Sequence, residues 1–122
     1  MALQYFSEVR TNPYRALQLY QILIGLAYNR QTMTYGQLAE VVGFKGAGVF
    51  AAKLGHIMFW CDQEALPPLT VLIVNQETGL PGEGLTTPED LHSQREEVFN
   101  HPWYDLVPPT VAELEAAFQR AS

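Results

Sequence analysis

Cysteine is nearly absent from this chain. Cys61 stands alone among 122 residues, which excludes an internal disulfide framework and suits a reducing compartment. Long apolar runs are missing as well. Gln, Asn and Arg interrupt LQLYQILIGLAYNR (17–30), so nothing approaches the roughly 20 apolar residues of a membrane span. The opening residues, MALQYFSEVR, carry neither a basic start nor a signal-like apolar core, and a cytoplasmic protein is expected. No internal repeat or low-complexity tract occurs.

Positive charge is scarce: seven Lys and Arg face thirteen Asp and Glu, for a net charge of −6. The deficit is uneven. Residues 1–60 carry +3, and residues 61–122 carry −9. A mildly basic first half could meet phosphate, whereas the acidic second half would repel it or serve a basic partner. What the chain does have is 48% hydrophobic and 11% aromatic residues, enough for one folded domain over 1–122.

Asn12-Pro13 is read as a helix opening, with Asn12 as the capping side chain. The helix that follows to about Asn29 is apolar over most of its surface and should lie deep in the core. A second helix starts at Thr34, where Thr-Tyr-Gly-Gln has the spacing of a capping box between Thr34 and Gln37. Met33 and Leu38 stand where a hydrophobic staple would join them, and Gly43 should end the helix. The capping box explains Thr34 and Gln37 but leaves Tyr35 and Gly36 without a structural reason.

A third helix is expected from about Ala47 to Gln63, with Lys53, His56 and Trp60 on an outward face. Pro67-Pro68 then excludes helix, and LTVLIVN (69–75) reads as a strand apolar on both sides. QETG (76–79) turns the chain into a glycine-rich return, LPGEGL (80–85). Thr87 and Thr110 open two further helices, the second with Glu113 three residues on. The expected class is mainly α with a small β-hairpin: a winged helix-turn-helix over 12–86 and a C-terminal helical extension over 87–122.

In their order and spacing, TMTYGQLAEVVGF, AAKLGHIM and LPPLTVLIVNQETGLPGEG resemble the DNA-binding domain of alkylguanine-DNA alkyltransferases and alkyltransferase-like proteins. The resemblance covers roughly residues 15–100. The resemblance implies that Tyr35 would help to rotate a nucleotide from the duplex, and that Ala52 stands where those proteins have an intercalating arginine. Their Pro-Cys-His-Arg-Val strand falls on Leu69, Thr70, Val71, Leu72 and Ile73. Thr70 therefore replaces the alkyl-accepting cysteine and Val71 its neighbouring histidine, so alkyl transfer, which needs an activated thiolate, is not expected.

What remains is non-covalent duplex binding by a non-enzymatic protein. Arg30, Lys45 and Lys53 would meet phosphate, Gly46 and Gly48 would allow close backbone approach, Tyr35, Ala52 and His56 would line the groove-facing surface, and Thr34 and Gly36 complete the expected DNA-binding set. The alternative is an acidic protein-interaction module on the same scaffold, with Trp103, Tyr104 and Pro108 of FNHPWYDLVPP (99–109) as an interface anchor. The competing reading of that segment is that Trp103 and Tyr104 pin the last helix to the core. No cofactor or metal is expected. GFKGAG (43–48) lacks the closing Lys-Ser/Thr of a phosphate-binding loop, and His56, His92, His101 and Cys61 lack metal-site spacing.

Overall fold

An apolar surface that runs nearly all round a helix can be hidden only by surrounding that helix, and the first helix is treated so. α1 (Asn12–Tyr28) buries Ala16, Leu19, Tyr20, Leu23 and Ala27 almost completely. In the computed structural model, which describes residues 3–9, 11–44, 50–81 and 90–121, α1 is the shaft against which the other elements pack. Its start differs from the sequence expectation. Thr11 is the cap, without a side-chain capping bond, and Asn12 is already helical; Pro13 in the first turn presets the backbone instead.

The chain leaves α1 through Arg30, whose φ of +55° reverses direction, and forms β1 (Met33–Thr34) and then α2 (Tyr35–Val42). The capping box is present in full. The Gln37 N–H donates to Thr34 Oγ1 at 3.1 Å, and the Thr34 N–H donates to Gln37 Oε1 at 3.0 Å. Met33 and Leu38 both join the core, and Gly43 closes the helix in the left-handed region at φ +80°. α3 is described over Ala51–Gln63, and the expected start at Ala47 lies outside the described residues.

The expected strand and hairpin over 69–85 form differently. Leu69–Leu72 is a 3-10 turn opened by Pro68, and only Ile73–Val74 (β2) is extended. β2 pairs parallel with β1, Met33 opposite Ile73 and Thr34 opposite Val74. An unbroken apolar run announces burial rather than a period of two, and the tight turn satisfies that burial equally well. The antiparallel hairpin survives as one bridge, Val74 to Pro81, with the Asn75 N–H donating to the Leu80 carbonyl at 2.7 Å. The Asn75–Gly79 turn forms as expected, with Asn75 Oδ1 accepting from the Glu77 N–H and Gly79 at φ +68°. The glycine-rich return beyond Pro81, and the expected helix start at Thr87, lie outside the described residues.

α4 (Leu91–Asn100), a 3-10 turn at Trp103–Asp105 and α5 (Val111–Ala121) complete the chain. α5 opens on the second expected capping box, Thr110 with Glu113. It packs against α3 and α1, with Leu114 and Ala117 fully buried. Gly55 permits this approach, since a Cβ there would meet Phe118 Cε1 at 3.3 Å. The described fold is thus mainly helical with a two-strand parallel sheet. None of the described helices is long and apolar enough to cross a membrane.

Inside the core, burial pushes the Cys61 thiol up to about 12, against a backbone hydrogen bond at Leu69 that lowers it. Burial, then the neighbouring Cys61, raises the Tyr20 phenol to about 12. Both groups keep protons that the unfolded chain releases from about pH 9 to 10. Their contribution is therefore complete below about pH 9 and is lost as pH rises towards 12, by about 1.4 kcal/mol per pH unit for each group. Urea melts at about pH 8 and pH 10.5 should differ by about 3 kcal/mol, and Cys61→Ala should remove most of the difference. A midpoint that does not move would contradict this account of the core.

Candidate nucleic-acid interface

The sequence nominated the two ends of α2 and the start of α3. At the first end Thr34 is half-buried and occupied by capping, Tyr35 is half-buried, and Gly36 is exposed. Gly36 has no steric need to be glycine: an added Cβ would meet nothing closer than Thr34 Oγ1 at 3.9 Å. Gly36→Ala should therefore stabilise α2 by about 0.5–1 kcal/mol in a thermal melt. If a ligand backbone approaches here, the same substitution should weaken binding while raising Tm. Unchanged affinity would remove Gly36 from the interface.

At the other end lies a cluster that sequence reasoning missed. Phe44, just past Gly43, carries two cations: the Arg15 guanidinium lies 4.7 Å from its ring centre and Lys53 Nζ lies 5.1 Å away. Arg15 is only 7% exposed, on the buried side of α1. Its Nη1 donates to Gln18 Oε1 at 2.8 Å, while its Nε is buried with no hydrogen-bond partner among the described residues. Burial first, and the charge of Arg15 second, lower the Lys53 amine below its ordinary value. A guanidinium in an otherwise apolar helix with a glutamine three residues on was the available signal. Its convergence with Lys53 on Phe44 depends on how α1, α2 and α3 pack, and no local pattern encodes that.

Several expected site residues stand elsewhere. His56 was expected on an outward face but is 3% exposed, stacked on Phe118 at 4.1 Å with the rings 7° apart. Its Nδ1 donates to the Ala52 carbonyl at 2.6 Å, so it cannot line a groove. α5 supplies the covering ring, and that partner is invisible from α3 alone. Trp60, read as outward with it, is also buried, edge-on to Tyr20 at 5.7 Å. Ala52 is half-buried beside this contact. Arg30 is not an open phosphate contact: its Nη2 donates to both Glu96 oxygens, at 2.7 and 2.8 Å, and its guanidinium lies over Phe99 at 4.9 Å. That bond holds the Glu96 carboxyl below its ordinary range. Lys45, Gly46 and Gly48 lie outside the described residues.

The alternative anchor divides. Trp103 is 3% exposed and its indole N–H donates to the Val98 carbonyl at 2.8 Å, so it is a core pin and not a contact surface. Tyr104 and Pro108 are exposed.

Thr70 and Val71, at the positions the resemblance aligns with the cysteine and histidine, are both fully buried. The Thr70 hydroxyl has no hydrogen-bond partner among the described residues. Cys61, buried and held neutral, presents no thiolate. Among the described residues no group of three or more His, Cys, Asp or Glu is arranged to hold a metal ion. An open groove of about 550 Å³ beside α2 is bordered by Gln31, Thr32, Gln37 and Glu40, and its one charged wall residue is a carboxylate. Compared with protein-family models, curated proteins and solved structures, the chain has no match in any of the three.

Proposed function

We propose that the protein binds duplex DNA without covalent chemistry, in the manner of an alkyltransferase-like winged helix, through the exposed start of α2 and the α2–α3 connection. One observation carries the reading: a buried guanidinium, Arg15, shares the Phe44 ring with Lys53, and its described partners, Gln18 and that ring, are neutral. Taking a cation out of water is costly, and a phosphate at this place would supply Arg15 with a countercharge that its described partners do not. The charge carried by each element supports the same segment. α4 and α5 carry Glu96, Glu97, Glu113 and Glu115 against Arg95 and Arg120, whereas the beginning of α3 carries Lys53 beside Arg15.

Lys45, in the connection, is proposed as the third phosphate contact. Gly36 is proposed as the point where duplex backbone approaches α2. His56 and Arg30 drop out of the interface, and base rotation has no candidate wedge at Ala52. The proposed mode is therefore a backbone grip with little base readout.

The test is fluorescence anisotropy with a short labelled duplex. Three phosphate contacts should give an affinity loss of roughly 40-fold between about 50 and 200 mM monovalent salt. A slope near zero, or no binding at the lower salt, would reject the reading.

A further inference from the structure

On the side of the molecule where α1 ends, the 3-10 turn at Trp103–Asp105 brings a second set of aromatic rings to the surface. Tyr28, 75% exposed, and Tyr104, 60% exposed, meet edge to face at 5.6 Å with the rings 71° apart. Together with Phe99, His101, Trp103 and Asp105, they border a pocket of about 340 Å³, at the small end of ligand-binding cavities. Two large aromatic rings are left in water at neighbouring points of one pocket, 76 positions apart in the sequence.

We infer that this pocket takes an organic ammonium group, the ligand that aromatic faces and one carboxylate together recognise. The ring faces are negative and Asp105 is an anion, so an anionic ligand would be repelled. A purely apolar occupant would leave the carboxylate without a purpose. A cation already packed on the pocket's aromatic wall points the same way: Arg30 lies over Phe99 at 4.9 Å. Its charge is offset by the two-oxygen contact with Glu96, so it does not oppose a second cation. Trp103, tied by its indole N–H to Val98, and Phe99 on α4 make a fixed floor under the two tyrosines. The inference is independent of DNA binding, which concerns other residues.

The probe is choline, followed by the indole N–H resonance of Trp103 and the tyrosine ring resonances at about pH 8, above the ordinary histidine range. Its neutral isostere, 3,3-dimethyl-1-butanol, serves as control. Choline should give saturable shifts and the isostere none. Tyr28→Ala should weaken binding roughly tenfold, as should Asp105→Asn, with circular dichroism melts unchanged because both side chains are exposed. A peptide carrying trimethyl-lysine that binds more tightly than choline would place the ammonium group on a protein partner. Tighter choline binding would assign a free small molecule. Equal shifts from the neutral isostere, or no saturable shift from either cation, would overturn the inference.

Discussion

Trp103→Ala should cost the fold about 3–5 kcal/mol, the range for losing a buried large aromatic side chain. The residue is 3% exposed, and truncation removes both its packing and the indole N–H that serves the Val98 carbonyl. A domain of this size has about 5–15 kcal/mol of stability in total, so the melting temperature should fall by about 10–25 °C. Trp103→Phe keeps most of the ring and loses the indole bond, while the Val98 carbonyl still accepts from the His101 N–H at 3.3 Å, and should fall between the two. A Trp103→Ala variant that melts within about 2 °C of the parent would mean that the 3-10 turn does not hold α4 in place. This outcome also governs how binding data are read. Lost binding in that variant would report unfolding and not a missing contact.

Reversing the charges at Lys45 and Lys53 should weaken duplex binding severely and leave the fold intact. Each Lys→Glu change removes one phosphate contact and adds a repulsive charge, for about a 100-fold loss in the double variant at low salt. The salt slope should drop with the affinity, from about three released ions to about one. Lys53 lies only partly buried at Phe44, so its replacement should cost little stability. Arg15 behaves differently. Because it is buried, Arg15→Ala should lower both stability and affinity, and so cannot by itself separate the two effects.

Features that depend on four or five neighbouring residues were legible before any coordinates. The Thr34–Gln37 and Thr110–Glu113 capping boxes, the Gly43 stop and the Asn75–Gly79 turn all formed, because each is fixed by bonds within its own segment. Features whose partners come from far along the chain were not. His56 was read as outward because its cover, Phe118, stands 62 positions away. Arg30 was read as a phosphate contact because Glu96 stands 66 positions away. Residues 69–75 were read as a strand because a doubly buried segment shows no alternation, and burial alone does not choose between an extended segment and a 3-10 turn.

The same distinction applies to the candidate site. Tyr35 and Gly36 could be suspected from sequence, since the capping box accounts for Thr34 and Gln37 but not for the two residues between them. Arg15 could not be placed in the site, because its pairing with Lys53 over Phe44 exists only once three helices have packed. The total charge of −6 pointed away from nucleic acid, whereas the local arrangement at α2–α3 brings two cations onto one ring.

The most direct measurement is amide chemical-shift mapping of the isotope-labelled protein during titration with a short duplex at low salt. The proposed grip predicts shifts concentrated at Tyr35–Gly36, Phe44 and the first turn of α3 around Lys53, with the Arg15 Nε–H among the strongest. Shifts confined to α4, α5 or the Tyr28–Tyr104 surface, or none at saturating duplex, would contradict it.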